Sequence, residues 1–439
     1  MNFPKNFHFG SATSAYQVEG AVNEDGRGPS IWDDFCATPS NIRDGSDGRV
    51  ACDHYHRYGD DIARMAEMGF NAYRFSVAWP RILPEGRGRI NPAGLAFYDR
   101  LVDGLLAKGI APYLTLYHWD LPSPLQAQGG WGNRETAWAF AEYAEVIGRH
   151  FGDRVHAYAT LNEPRCAAFV GHYEGRHAPG ATDLRLTLQV AHHLMLAHGA
   201  AVQRLRAHTQ TAKVGIVLDM KPYHPANDHP LTVRAAEMGG GIFNRWLLDV
   251  LFKGHYPPDV WEGFGPLVPH VEAEDYALIQ QPLDNLGINY YTRALVEYDP
   301  ELPFPHAREV RNEGAIYSTM NWEFYPEGLE EILGWVHRTY GVKELYIAEN
   351  GVALADEVVD GRVHDPLRTQ YYQTHLAAVS RAITQGVPLT GYLAWSLMDN
   401  FEWGQGYLQR FGLWHVDYAT QERILKDSAH WYADFIKNR

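Results

Sequence analysis

The sequence predicts an α/β chain folded as a single (β/α)8, or TIM, barrel with extended βα loops, one domain spanning residues 1–439. Three observations predict it. Eight short β-branched or aromatic runs alternate with eight longer helix-period segments, with no Ser/Pro/Gly-rich linker or low-complexity block between them. Several of the short runs are almost wholly apolar, as strands covered by helices must be. The chain also exceeds the roughly 250 residues of a plain barrel, so the surplus is expected in loops. Those loops are placed chiefly after strands 1, 4, 5, 6 and 8.

The elements follow in order. His8–Tyr16 opens as strand 1, and Asp53–Met68 answers as a helix with Tyr55, Tyr58, Ile62, Met65 and Ala66 on one face. Gly69 follows it as a C′ glycine. Strand 2 is Ala72–Trp79, and the next helix, Asn91–Lys108, has Asn91 as N-cap, Pro92 at the first helical position and Gly109 beyond its end. Strand 3, Ala111–Trp119, precedes helix Arg134–Phe151; strand 4, His156–Glu163, precedes helix Thr187–Ala207. Strand 5, Lys213–Asp219, precedes helix Leu231–Leu251. Strands Asn285–Tyr291, Glu344–Asn350 and Leu389–Ser396 alternate with helices Glu327–Tyr340, Pro366–Gln385 and Asp427–Lys437.

Composition narrows the function. Lys and Arg number 38 against 53 Asp and Glu, a net charge of −15, which argues against a nucleic-acid partner because a phosphate backbone needs a basic face. No apolar run approaches the roughly 18 residues of a membrane span, and no apolar signal core follows Met1, so a cytoplasmic protein without membrane attachment is expected. Three cysteines, Cys36, Cys52 and Cys166, make neither a disulfide framework nor a zinc site. The histidine clusters His54-Tyr55-His56 and His192-His193 lack companion carboxylates at ligand spacing, so neither a metal nor another cofactor is expected. Gly239-Gly240-Gly241 has no following Lys-Ser/Thr and reads as a flexible loop, not a phosphate cradle. The chain is rich in aromatics, with 13 Trp, 26 Tyr and 18 Phe, which suits either a large core or a cleft that stacks on rings.

In a barrel, chemistry sits at the C-terminal ends of the strands. Here those ends carry Gln17, Arg74, His118-Trp119, Asn162-Glu163, Asn289 with Tyr291, Glu349 and Trp395, followed by Glu402-Trp403. Glu163 and Glu349 leave strands 4 and 7, on opposite sides of the mouth. Paired carboxyls in unlike surroundings suit acid/base or nucleophilic work on acetals. Trp395 and Trp403 offer apolar faces, while Gln17, His118, Asn162 and Glu402 offer hydrogen bonds, the mixture that a sugar ring requires. Taken singly, a Glu at a strand end is often an ion-pair partner and a Trp is often core. The residues alone therefore point to a barrel enzyme with paired glutamates acting on a polar ring.

The same strand ends resemble those of the glycoside hydrolase family 1 β-glucosidases. The segment Phe7-x-Phe9-Gly10 through Tyr16-Gln17-Val18-Glu19-Gly20 is similar to the family's N-terminal signature. Arg74-Phe75-Ser76, Tyr117-His118-Trp119-Asp120-Leu121-Pro122, Thr160-Leu161-Asn162-Glu163-Pro164, Asn289-Tyr290-Tyr291-Thr292, Glu349-Asn350-Gly351 and Trp395 through Trp403 follow in family order. The resemblance implies a retaining, exo-acting β-glycosidase with Glu163 as acid/base and Glu349 as nucleophile, their carboxyls about 5–5.5 Å apart. It implies supporting roles for Arg74, Asn289 and Tyr291 around the two carboxyls. Gln17, His118, Trp119, Asn162, Glu402 and Trp403 would hold the glycone, with Trp395 as its floor and Phe411 as a wall; Trp322 would face the aglycone. The implied partner is a small β-glycoside, glucosyl first and galactosyl or fucosyl besides, from short oligosaccharides or aryl and alkyl glycosides. Monomer and homo-oligomer both stay open.

The chain departs from the family pattern at Ala348, where Thr, Ser or a larger aliphatic is more usual, at Asp219, where many members carry Asn, and at Met320-Asn321 before Trp322. The last two lie on the aglycone side, which makes leaving-group preference the least transferable property. Rival readings are a 6-phospho-β-glucosidase, disfavoured by Glu402 where a phosphate would need cations, and a non-catalytic sugar-binding barrel, disfavoured by two intact glutamates. An unrelated barrel enzyme using a metal or a phosphate cofactor is the third.

Overall fold

The computed structural model describes residues 1–439. Eight parallel strands close on themselves: β1 (His8–Ala12), β2 (Ala72–Ser76), β3 (Ala111–Tyr117), β4 (Ala157–Asn162), β5 (Lys213–Asp219), β6 (Asn285–Asn289), β7 (Leu345–Asn350) and β8 (Leu389–Trp395). Sequential neighbours pair, and β8 returns to β1 with His8 opposite Gly391 and Ala12 opposite Trp395. The outer layer comprises α1 (His54–Glu67), α2 (Pro92–Ala107), α3 (Glu135–Phe151), α4 (Leu184–Arg206), α5 (Pro230–Gly240), α6 (Trp246–Phe252), α7 (Pro326–Tyr340), α8 (Pro366–Thr384) and α9 (Asp427–Lys437). No helix is long and apolar enough to cross a membrane.

Local chemistry explains the element ends. α1 buries Tyr55, Ile62 and Met65 and half-buries Tyr58 and Ala66. It stops where Gly69 takes φ +81°, so that the Phe70 and Gly69 amides reach back to Met65 and Ala66. Asn91 does occupy the N-cap of α2, but its side chain donates instead to the carbonyls of Asp25 and Arg81. The barrel lumen is filled by small residues, Ala12, Ala72, Ala157, Ala159 and Ala348, around the rings of Tyr113 and Tyr346. It is a packed core whose upper layer becomes the floor of a cavity.

Four expectations need correction. Strand 1 ends at Ala12, because Ala15–Val18 coils into one helical turn that carries Gln17. Trp79 belongs to another short helix, Trp79–Ile82, and not to β2. The triglycine 239–241 is no flexible loop. It runs from α5 into the π-helical turn Gly241–Arg245, and at Gly239 a Cβ would come within 2.7 Å of the Tyr223 ring, so the missing side chains serve close packing. The chain after β5 is short, residues 220–229; the extra length near this strand lies instead at 253–284, after α6. The other long loops, 13–53, 163–183, 290–325 and 396–426, fall where the sequence placed them.

Two of the eight strands are irregular at their upper ends. β4 shifts register against β5 between Ala159 and Asn162, and β7 shifts against β6 between Ile347 and Glu349. A bulge re-aims the side chains beyond it. These two lie just before Glu163 and at Glu349.

Candidate active site

Above the lumen lies a cavity of about 400 Å³. Its wall includes His118, Trp119, Glu163, Asn289, Tyr291, Trp322, Glu349, Trp395, Glu402, Trp403 and Phe411. Three of the residues singled out from sequence, Gln17, Arg74 and Asn162, stand directly behind that wall and hold it.

Glu349 is the most tightly gripped carboxylate. Arg74 Nη1 donates to its Oε1 at 2.6 Å, with both side chains buried, and the Tyr291 hydroxyl donates to Oε2 at 2.5 Å. The same guanidinium donates through Nη2 to Asn162 Oδ1 at 2.7 Å and through Nε to Thr115 at 3.0 Å, so strands 2, 3, 4 and 7 share one cation. Burial pushes the Glu349 carboxyl up, and the charge of Arg74 and the hydrogen bonds pull it back.

Glu163 is held differently. Asn289 Nδ2 donates to its Oε1 at 2.7 Å and no cation touches it. Burial pushes its carboxyl well above the usual range, and the charges of Asp219 and Glu349 push it further. Of this coupled pair, Glu163 therefore holds the proton and Glu349 the charge. The Asn289 amide also reaches Asn162 Oδ1 at 3.1 Å and bears on Glu349, so one side chain from β6 spans both carboxyls.

The remaining wall is aromatic and polar. Trp119 packs on Trp403 with centroids 4.7 Å apart, and His118 lies nearly parallel to both Trp395 and Trp403 at 5.9 and 5.8 Å. Tyr291, Trp322 and Phe411 form a second group at 5.1–6.0 Å. Asn162 fixes His118 through Nε2 at 3.1 Å, leaving the His118 Nδ1 and the Asn289 Oδ1 buried without a protein partner. Such orphaned atoms call for a polar ligand. Gln17 is fully buried, with Nε2 donating to Asn400 Oδ1 and the Phe401 carbonyl and lying 3.5 Å from Glu402. It shapes the Glu402 segment from behind. Glu402 itself is pushed up to about 8, by burial and then by the charge of Glu349. Trp119, Glu163 and Trp403 have φ of +80°, +45° and +50°, each a left-handed backbone costing about 1–2 kcal/mol. Strain gathered at one cavity marks a site whose geometry matters more than its local stability.

Several wall residues escaped the sequence reading. Arg165 lies 3.8 Å over the Phe243 ring and is ion-paired with Asp219; Lys221 pairs with Glu309 at 2.5 Å; Arg176 pairs with Glu174. Arg165 and Cys166 follow directly on Asn162-Glu163-Pro164, so the same strand end carries their signal. Phe243 and Glu309 come from segments with no signal of their own. Since every wall cation is already neutralised, none is free for a phosphate. That is a firmer objection to a phospho-sugar than Glu402, whose carboxyl burial and the charge of Glu349 push up to about 8.

The glycosyl hydrolase family 1 model matches residues 1–439. Beta-glucosidase A of Acetivibrio thermocellus is 47% identical over 443 residues, covering 100% of this chain and 99% of its own. The bifunctional beta-D-glucosidase/beta-D-fucosidase of Bifidobacterium breve is 43% identical, covering 99% and 98%. The solved family 1 b-glucosidase from Thermotoga maritima in complex with isofagomine lactam superposes with a TM-score of 0.97 at 45% identity, covering 99% of this chain and 98% of that one. With the whole chain matched and the barrel shared, the protein belongs to glycosyl hydrolase family 1.

Proposed function

We propose that the protein is a retaining, exo-acting β-glycosidase that releases terminal β-D-glucosyl residues from short oligosaccharides and from aryl or alkyl β-glucosides by double displacement. One observation carries this reading: two buried carboxyls share a cavity but are held differently, Glu349 by a cation and a phenol and Glu163 by a neutral amide.

In the first step a Glu349 oxygen bonds to the anomeric carbon as the bond to the aglycone oxygen breaks. Glu163 gives its proton to that leaving oxygen. The glycosyl ester removes the Glu349 charge, and with it one of the two anions holding the proton on Glu163. Glu163 can then take a proton from water as the water oxygen attacks the anomeric carbon and frees Glu349. Arg74 and Tyr291 keep Glu349 charged and aimed. Asn289, spanning the two carboxyls, and Asn162 beside it are suited to the sugar 2-hydroxyl and the transition state. Trp395, Trp403 and His118 supply the apolar and polar faces of the glycone site, with Glu402 and Gln17 behind its hydroxyls. Trp119 and Phe411 close it, and Trp322 faces the aglycone.

The fucosidase activity named for the Bifidobacterium relative supports some tolerance at the glycone 4- and 6-positions. The deciding experiment is Glu349→Gly. It should abolish release of 4-nitrophenol from the β-D-glucoside, and azide should restore turnover with an α-glucosyl azide as product. A β-linked azide would mean that the roles of Glu163 and Glu349 are exchanged, and no rescue at all would sink the double displacement.

A further inference from the structure

Next to Glu163 the cavity holds an ion pair that the double displacement does not use. Asp219, at the end of β5, is buried to 8% exposure. Its Oδ2 accepts from Arg165 Nε at 2.6 Å and lies 3.8 Å from Cys166 Sγ, while its Oδ1 has no partner. Side-chain atoms of Glu163, Cys166 and Asp219 all lie within 4.8 Å of one another. The guanidinium of Arg165 is fixed on its other face by the Phe243 ring at 3.8 Å. A buried anion thus faces the Glu163 carboxyl from the aglycone side, and a single cation compensates it.

We propose that the Arg165–Asp219 pair is a positioning pair for Glu163, Asp219 favouring the protonated carboxyl and Arg165 setting how strongly. This rests on Glu163 being the acid/base. The other groups facing Glu163 do not duplicate the effect. Glu349 on β7 loses its charge when the glycosyl ester forms, and burial keeps the Tyr291 phenol just after β6 and the Cys166 thiol neutral. Arg74 on β2 is separated from Glu163 by Asn162 and spends its charge on Glu349. His118 just after β3, held neutral by burial, meets Asn162, and Glu402 bears on Glu349. Asp219 is therefore the anion that persists through both steps. It holds the proton before the first bond breaks and keeps Glu163 basic enough to deprotonate water in the second.

The pair gives opposite signs on mutation, which a merely structural role cannot. Asp219→Asn removes the anion and exposes Glu163 to an uncompensated Arg165, so the basic limb of kcat/KM for 4-nitrophenyl β-D-glucoside should move down by about one pH unit. Arg165→Gln leaves Asp219 uncompensated and should move the limb up. The double variant should return it toward the parent. Labelling each variant with a 2-deoxy-2-fluoroglucosyl donor verifies that the site is folded. Limbs that coincide in the parent and both single variants, or that move the same way, overturn the proposal. Glu163→Gln is run beside them with a dinitrophenyl and an alkyl β-glucoside. If kcat/KM, which reads the first step, falls only for the alkyl glucoside, while turnover of both falls because the second step has lost its base, Glu163 is the acid/base and the limb shifts judge the pair alone. If kcat/KM falls for both or for neither, the acid/base assignment itself fails.

Discussion

Glu402 illustrates how a single residue trades stability for a binding surface. Its carboxyl sits against the cavity, with only the Gln17 amide, 3.5 Å away, to offset burial and the charge of Glu349, and is pushed from 4.5 up to about 8. A group whose folded value is raised gives stability that is complete below its unfolded value and is lost as pH climbs through the folded one. Between pH 5 and pH 9 the parent protein should therefore lose melting temperature relative to Glu402→Gln, whose amide carries no charge to bury. The difference in Tm between the two should grow with pH, and a constant difference would refute the argument. The same variant should lower kcat/KM on the β-glucoside about 10- to 100-fold, the cost of one weakened polar contact to a hydroxyl. At this scale the proposed glycone side was legible because its residues occur in contiguous runs at or after strand ends: His118-Trp119, Asn162-Glu163, Glu402-Trp403. The opposite side was legible only at Asp219, Met320 and Trp322, because Arg165, Lys221, Phe243 and Glu309 meet through separate loops and turns that no periodicity joins.

At the scale of elements, the two register shifts do what a regular strand could not. Alternation along β7 would set Ile347 and Glu349 on the same face, yet Ile347 is packed in the outer core while Glu349 lines the cavity. The shift between them turns the glutamate inward. Sequence patterning located β7 and its end but could not show the bulge, since register is a property of two strands and not one. Gly351, just beyond, holds this geometry. A Cβ there would stand 1.7 Å from the Trp395 carbonyl oxygen on β8, a backbone atom with no room to yield. Gly351→Ala should push the Glu349 strand end away from Trp395, costing about 3 kcal/mol or more in stability and most of the activity. Urea denaturation followed by tryptophan fluorescence, beside turnover of the β-glucoside, checks both. A fully stable, fully active Gly351→Ala protein would show that β7 and β8 can separate here without consequence.

For the molecule as a whole, the eightfold alternation was readable because strand and helix periods differ, but the device that locks the long loops together was not, because its charges lie far apart in sequence. Behind the β7 and β8 ends, Lys426 is fully buried between Asp356 at 2.5 Å and Asp399 at 2.7 Å. Arg368 of α8 pairs with Asp356 at 2.7 Å and Asp365 at 2.5 Å, and Arg410 pairs with Asp399 at 2.7 Å. Asp399 also accepts from the Gly412 amide, and Asp365 from the Ser428 amide at the start of α9. The network therefore ties residues 351–365 to residues 396–426, the two segments that carry Glu402, Trp403 and Phe411 to the cavity and lead away from Glu349. Burial alone drives the Lys426 ammonium down and the charge of Arg368 drives it further, while the two aspartates hold the proton on. Replacing it by methionine keeps the volume but leaves two buried carboxylates with one cation fewer. Removing one member of a buried ionic cluster costs about 3–5 kcal/mol, and because Arg368 and Arg410 remain, Lys426→Met belongs at the lower end, about 3 kcal/mol. Denaturant midpoints at neutral pH read that loss. Against burial, Lys426 is one of the groups that hold the Asp356 carboxyl below its ordinary value, so its share of the stability is present at neutral pH and lost as that carboxyl takes up its proton. The gap between parent and variant should narrow as pH falls through the carboxylate range, and a gap that widens on acidification would mean that the lysine stabilises by packing and not by its charge.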